Sequence, residues 1–175
     1  MEDIDSTIAL KEKLLIAGID EISKNGITGL SLRKVAASCG ASCAAPYKHF
    51  KNKDDFIEQI IKYVDDKWLL LGKQIIENFS DSSERIAQLC TANVKFNISN
   101  PLYNMALPQN KLIAYEVTKH CKERNFSDSD IKGKLFAIRV LTGGTAALIE
   151  KGSLENCPET FTLLHDKIIS ELSAE

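Results

Sequence analysis

Residues 31–53 read SLRKVAASCGASCAAPYKHFKNK, and this stretch decides the fold. It contains two short helical patterns separated by Cys39-Gly40, a pair that favours a tight turn. The wider segment 24–53 has no Asp or Glu. Its basic residues are Lys24, Arg33, Lys34, Lys48, Lys51 and Lys53. A short helix, a turn, a second short helix and local positive charge together predict a helix-turn-helix that contacts DNA.

The composition of the chain limits the classes of protein to which it can belong. The 175 residues are 44% hydrophobic and 26% charged, which excludes a disordered or membrane protein. The net charge is −2, so the basic segment is offset by acidic residues elsewhere; on charge alone, a solvated basic face is the alternative to a DNA contact. No window approaches the ~18 uninterrupted apolar residues of a membrane span, and the N-terminus lacks a signal-peptide run. We expect a cytoplasmic protein without membrane contact, whose five scattered cysteines are reduced thiols.

The helical patterns extend over almost the whole chain. A first helix is predicted at 7–25, where Asn25-Gly26 ends it. Ser31 is predicted to cap a second helix to residue 38, and Ser42 a third helix to residue 50, with Pro46 tolerated in its first turn. A long helix follows at 53–78. Its apolar stripe is Phe56, Ile60, Val64 and Trp68.

Residues 79–175, the remaining half of the chain, are predicted to form four helices and one irregular segment. Asp81 and Ser127 begin two of these helices with capping signals, and Pro158 begins the last. A polar surface helix is expected at 110–124, after an irregular segment at 102–109. The sequence therefore predicts an all-α fold. A three-helix helix-turn-helix DNA-binding domain, 1–52, is followed by a five- to six-helix domain, 53–175.

Several of these positions carry a family resemblance over residues 10–60. They are Lys13–Ala17 (KLLIA), Gly26, Leu30–Ala36 (LSLRKVA), Gly40–Ser42 (GAS), Tyr47–Phe50 (YKHF), Lys53 and Phe56. Together they resemble the N-terminal signature of TetR-type transcriptional regulators, and the AAPYKHF run resembles an AcrR-like subset. The resemblance implies a homodimer whose N-terminal helices bind operator DNA. It also implies that the C-terminal helices, 53–175, form the effector-binding and dimerisation domain, with a ligand chamber and a dimer interface. Members of the family mostly act as repressors that a small molecule releases from DNA.

The base-reading residues are expected at the start of the recognition helix and on the helix before it. Cys43 and Ala45 offer little for direct readout beyond a weak polar contact and contact with a thymine methyl. Lys48 suits guanine acceptors. Arg33 matches a family position that reaches a base, and a phosphate contact is its equal alternative. Two copies of the motif would read two half-sites separated by about one helical turn, ~34–36 Å, or a multiple.

Six further residues are expected to contact phosphates. Ser31 and Ser42 lie at predicted helix N-termini, where hydroxyl and backbone N–H groups favour anions. The resemblance assigns backbone contacts to Tyr47, His49 and Lys53, and Thr28, just before the second helix, is expected to do the same. For Tyr47 and His49, packing within the protein is the alternative.

The C-terminal helices carry the predicted dimer and effector residues. The run 142–147 is rich in small residues. Glycine within a helix costs about 1 kcal/mol relative to alanine, so a compensating interaction is expected. Our hypothesis is that two helices approach closely here across a dimer, and a kink or a chamber wall is the alternative. The predicted interface residues are Gly143, Gly144, Ala147, Phe161, Leu164 and Ile168. The predicted walls of a chamber for an unidentified apolar or amphipathic effector are Trp68, Phe96, Tyr103, Met105 and Phe136, for which plain core packing is the alternative.

Other classes of function have weaker support in the sequence. The histidines lie on separate helices and no catalytic or nucleotide-binding motif is present, so we expect no enzyme and no cofactor. A metal site at Cys39, Cys43 and His49 fits no zinc spacing, and none is expected. Redox sensing by Cys43, in a basic field near a predicted helix N-terminus, is the alternative within regulation. A helical interaction module without DNA is a further alternative.

Overall fold

The computed structural model describes residues 2–100 and 111–174, with side chains from residue 9 onward. These residues form seven α-helices and no strand, which confirms the all-α prediction. The helices are α1 (Glu2–Gly29), α2 (Leu32–Ser38), α3 (Lys53–Asn78), α4 (Ser82–Ser99), α5 (Lys111–Glu123), α6 (Asp128–Glu150) and α7 (Pro158–Ser173). Within these ranges, none of the helices has the length and apolar character needed to cross a membrane.

The described residues fall into two compact units. The first comprises residues 2–66 and the second comprises 67–100 with 111–174, so the division lies within α3. A boundary between functional domains at residues 52 and 53 stays a prediction.

The first unit begins with a helix that bends near its end. Gly26 has φ 69° and ψ 170°, outside the helical region, so the straight part of α1 stops at Asn25 as predicted. The helix starts earlier than the predicted residue 7. Further along the chain, the core of this unit contains Phe50 and Phe56, whose rings meet edge to face at 4.7 Å. Phe50 therefore packs inside this unit and is not available to DNA.

The prediction of a third α-helix at 42–50 is wrong. The structure has a turn at Ser42–Ala45 followed by a short 3-10 helix at Pro46–Lys48. Pro46 has no N–H to donate to the Ser42 carbonyl, and that carbonyl accepts instead from Ala45 at 2.9 Å. The Ser42 carbonyl thus closes a turn through this hydrogen bond. The sequence had predicted instead that the Ser42 side chain caps a helix.

The second unit is arranged around α4, which packs against α5, α6 and α7. The predicted start signals operate as expected. Asp81 accepts from the Glu84 N–H at 2.8 Å, and Ser127 and Asp130 form a capping box before α6. Pro158 occupies the first turn of α7.

Polar side chains are buried in this unit where the sequence predicted a polar surface. On α5, His120 is 1% exposed and Cys121 is fully buried, so their assignment to a surface helix is wrong. Arg85 on α4 forms a buried ion pair with Glu116 on α5 at 2.8 Å. Lys134 donates to the Glu171 and Ala174 carbonyls near the end of α7. Each buried charge thus has a partner that offsets its loss of water.

Candidate nucleic-acid interface

The surface of the first unit that is predicted to contact DNA begins at α2. Ser31 caps this helix by accepting from the Lys34 N–H at 3.4 Å, while Leu32, Val35 and Ala36 are buried. Because these three residues anchor one side of α2, Arg33 lies exposed on the other. Lys34 is also exposed, and its ammonium is 3.6 Å from Glu21. Arg33 is therefore an exposed cation on α2, and its contact with DNA stays a prediction.

The turn after α2 is closed by backbone hydrogen bonds. Gly40 has φ 67°, and its N–H donates to the Ala37 carbonyl. The Ala41 N–H reaches back to the Ala36 carbonyl at 2.9 Å. This pair of bonds is a Schellman motif, for which glycine in the positive-φ position is the favoured residue. Gly40 thereby fixes the direction in which the chain leaves α2.

The segment after this turn presents a mixed surface. Ser42, Cys43, Lys48 and Tyr47 are exposed, Tyr47 to 61%. The exposed phenol of Tyr47 is free for the predicted phosphate contact. Ala45 is only 7% exposed, so the contact predicted between its methyl and a thymine methyl is not available in this conformation. The absence of an α-helix here also removes the helix N-terminus expected beside Cys43.

The other predicted phosphate-contacting residues have partners within the protein. The Lys53 ammonium donates to the Thr28 carbonyl at 3.3 Å, so these two residues lie together. His49 is half-buried, with its ring 6.0 Å from that of Phe50. The Ser31 hydroxyl is engaged by the α2 cap. Their phosphate contacts stay predictions, and those of Ser31 and Lys53 require sharing or exchange of these internal bonds.

The predicted effector residues differ in their environments. Trp68 is 2% exposed, and its ring is 5.5 Å from that of Phe96 on α4. Phe136 is 71% exposed, so it does not line an enclosed chamber. Tyr103 and Met105 lie outside the described residues. The structure therefore brings together one aromatic pair of the predicted set, Trp68 and Phe96.

The α7 residues that were predicted to form the dimer interface do not lie on the surface of the second unit. Phe161, Leu164 and Ile168 are at most 9% exposed, because the apolar stripe of α7 packs inside its own unit. On α6, Gly143 and Ala147 are exposed and Gly144 is half-buried. Exposed apolar side chains that the prediction did not assign to the dimer lie on the same two helices. They are Phe136, Val140 and Leu148 on α6 and Leu163 on α7.

Thiols and metal ligands are distributed without a shared centre. In the described ranges, no group of three or more His, Cys, Asp and Glu is placed to hold a metal ion. All five cysteines are free thiols, of which Cys43 is exposed. Burial raises the pKa of the Cys90 thiol to about 12 and also raises the pKa of Cys121. These two thiols therefore stay protonated at neutral pH.

Sequence comparison places the candidate interface in a known class. Residues 14–60 match the family described as "Bacterial regulatory proteins, tetR family". With the geometry above, the first unit is similar to the helix-turn-helix of these regulatory proteins, with the 3-10 helix Pro46–Lys48 in the place of the expected helix after the turn. Among individual relatives, the nucleoid occlusion factor SlmA of Citrobacter koseri is 29% identical over 79 residues. The match covers 45% of this chain and 40% of the relative, so the chain spans less than half the length of the curated relatives it matches.

Structural comparison extends the similarity of fold over most of the chain. A putative TetR-family transcriptional regulator from Rhodococcus sp. has a TM-score of 0.72 at 18% identity, covering 93% of this chain and 98% of that one. The transcriptional regulator FadR from Bacillus subtilis, solved in complex with stearoyl-CoA, has a TM-score of 0.70 at 14% identity, with 93% and 97% covered. At these identities the similarity shows the fold alone.

Proposed function

We propose that this chain is a TetR-family transcriptional regulator of the AcrR-like subtype. It binds an operator in double-stranded DNA as a homodimer, represses transcription, and is released by a small apolar or amphipathic effector. The observation that carries the proposal is the exposed basic surface of the helix-turn-helix, which lies within the residues matched to the tetR family. Cations on such a surface neutralise phosphates and release counterions, which favours binding to DNA.

The residues of this surface divide by chemistry. Arg33 and Lys48 are exposed cations, and we assign them to guanine acceptors in the major groove. Tyr47 and Lys53 are assigned to phosphates, which position the protein without reading sequence. Because Cys43 and its neighbours offer no strong donor pair, specificity also depends on the shape and deformability of the operator.

The exposed apolar side of α6 supports the homodimer. Phe136, Val140, Gly143 and Ala147 recur at helical spacing, and we call them the α6 stripe. The two large members are exposed to 71% and 53%. A large apolar surface left in water is unfavourable, and a second copy of α6 would cover it, with the small residues allowing close approach. Dimerisation also supplies the second half-site contact that operator recognition requires.

The effector is assigned to the second unit. The ring pair of buried Trp68 and half-buried Phe96 offers apolar contact to a hydrocarbon group. A structural neighbour solved with stearoyl-CoA supports an amphipathic ligand with a long apolar part. We therefore assign the effector to the class of lipid-like molecules and place its apolar part beside this ring pair.

A gel-shift experiment tests the DNA-binding half of the proposal. The probe is the DNA immediately upstream of the protein's own gene, with a shuffled fragment of equal length and composition as control. The account expects a discrete complex that survives an excess of shuffled DNA and weakens steeply as salt rises. Equal binding to the two fragments would contradict sequence-specific recognition, and no binding at low salt would contradict a DNA-binding function.

The exposed thiol of Cys43 supports a second candidate, a redox-responsive regulator. Oxidation to a sulfenic acid or a mixed disulfide would place a polar or bulky group on the surface that faces DNA. Operator binding is measured before and after mild peroxide treatment in the parent and in Cys43→Ser. Loss of binding in the parent alone supports this candidate, whereas an equal response of the two proteins eliminates it.

A further inference from the structure

Two asparagines on α4 are buried without full hydrogen bonding. Asn93 is 5% exposed and Asn97 is 8% exposed. The Asn97 Nδ2 donates to the Asn93 Oδ1 at 3.2 Å. The other two polar atoms, Asn93 Nδ2 and Asn97 Oδ1, have no hydrogen-bond partner. Leaving buried amide atoms unpaired is unfavourable, so this pair does not contribute to the stability of the fold as paired groups do.

The other buried polar side chains in the described part of the second unit do have partners. Arg85 is paired with Glu116, and Lys134 donates to two backbone carbonyls. Ser83, His120 and Thr142 are also hydrogen-bonded. The asparagine pair is therefore the exception among them, and an exception of this kind calls for a physical explanation.

The surroundings of the pair point to a ligand with an apolar body. On the same helix, Phe96 lies between the two asparagines in sequence and packs against Trp68. One turn before Asn93, the buried Cys90 is hydrogen-bonded to Thr142 of α6. Both asparagines thus lie within one helical turn of Phe96 along α4, and Phe96 belongs to the aromatic pair that we assign to the effector.

We propose that Asn93 and Asn97 bind an uncharged group that both donates and accepts a hydrogen bond, and that this group is a carboxamide on an otherwise apolar effector. This inference rests on the proposed effector role of the second unit. Exchanging oxygen and nitrogen in both side chains still leaves one donor and one acceptor open, so the ligand chemistry does not depend on how the amides are oriented. An amide C=O accepts from the open N–H, and its N–H donates to the open carbonyl.

Charge excludes a carboxylate at this position. The buried cations of the described part of the second unit, Arg85 and Lys134, are already engaged by Glu116 and by two backbone carbonyls. A carboxylate would accept from the open N–H but would be repelled by the open carbonyl oxygen, and neither buried cation of the described second unit is free to offset its loss of water. An ester can accept but cannot donate, so it would leave the carbonyl unpaired.

Three ligands of equal chain length separate these cases: octanamide, methyl octanoate and octanoate. Trp68 is the only tryptophan of the chain, so its fluorescence reports binding beside Phe96 directly, without DNA. The expected result is that octanamide binds at least about tenfold more tightly than either of the others, because it alone donates the second hydrogen bond and leaves no buried carbonyl unpaired. Equal affinities, a preference for octanoate, or no binding of any of the three would overturn the inference.

Variants connect the preference to the two side chains. The double variant Asn93→Leu/Asn97→Leu is expected to lose the preference for octanamide and to melt at a higher temperature, because the unpaired atoms are gone. Gln88→Leu is the control, since Gln88 is on the same helix but is bonded to Glu84. A preference retained in the double variant would overturn the inference. The ligand series in the parent protein decides the question even where the double variant does not fold.

Failure of the inference is distinguishable from failure of the proposed function. Binding of octanamide that leaves an operator complex intact would contradict the effector role and leave the amide site standing. Operator binding by a protein that shows no preference for the amide would contradict the site and leave the DNA-binding proposal standing.

Discussion

Gly18 allows α1 to lie directly against α3. A Cβ atom placed at this position would be 2.5 Å from the Phe56 Cζ and 2.7 Å from the Ile60 Cδ1, far inside normal contact distances. Both neighbours are fully buried, so their side chains have little room to move. The small size of this residue, and not its backbone freedom, is what the packing requires.

We predict that Gly18→Ala lowers the free energy of unfolding of the first unit by about 1–3 kcal/mol, the usual cost of overpacking a core. Gly133→Ala is the control, because its Cβ would meet nothing within 4 Å on α6, and it should stabilise by about 0.5–1 kcal/mol. Urea unfolding followed by circular dichroism measures both. An unchanged midpoint for Gly18→Ala would show that the two helices are not in close contact.

At the scale of helices, the sequence was informative where signals are local. Ser31 and Gly40 mark the two ends of α2 because caps act on neighbouring backbone groups. The helix predicted over 42–50 fails because Pro46 changes the hydrogen-bond pattern of a segment too short to compensate. The pairing of Arg85 with Glu116 was not predictable, since nothing local in the sequence identifies partners 31 residues apart.

The stripe of α7 shows a second limit of sequence patterns. Phe161, Leu164 and Ile168 were correctly placed on one side of a helix, but periodicity cannot tell a core contact from a dimer contact. The exposure of Phe136 and Val140 identifies the unpartnered side of α6 only once the fold is known. In the segment predicted to contact DNA, by contrast, Arg33 and Lys48 were predicted to reach bases, and both side chains are exposed.

We predict that Val140→Glu yields a monomer, because a carboxylate in the α6 stripe would be buried without a partner on association. The adjacent Arg139 is exposed and not part of the stripe, so Arg139→Glu is expected to remain dimeric. Light scattering coupled to size-exclusion chromatography measures both masses. A dimeric Val140→Glu would mean that a different surface forms the interface.

At the scale of the second unit as a whole, two histidines give opposite dependences on pH. Burial, and then the charge of Arg124, lower the pKa of His120, whose Nδ1 is 2.7 Å from the Ser82 hydroxyl. For His165 burial opposes protonation, but the hydrogen bonds to Asp166 and Glu84 outweigh it and raise the pKa. Below pH 6.5, the pKa of histidine in the unfolded chain, His120 is protonated in the unfolded chain but stays neutral to lower pH in the folded chain.

We therefore predict that lowering the pH through 6.5 reduces the stability of the parent protein more than it reduces the stability of His120→Asn. For His165 the contribution to stability is fully present below 6.5 and is lost as pH rises through its raised pKa, so His165→Asn should lose stability mainly on the acid side. Thermal unfolding followed by Trp68 fluorescence between about pH 5 and 8 measures both. Parallel curves for the parent and His120→Asn would contradict the assignment of His120.

The central claim is that the exposed cations of the helix-turn-helix read operator DNA, and fluorescence anisotropy with the upstream fragment and its shuffled control tests it most directly. The double variant Arg33→Ala/Lys48→Ala is compared with Lys62→Ala, which removes an exposed cation of the same unit from outside the basic segment. We predict that the double variant loses about tenfold or more in its preference for the operator over shuffled DNA, because guanine contacts are lost. Lys62→Ala should keep that preference. A double variant that still discriminates between the two fragments as well as the parent would contradict the account.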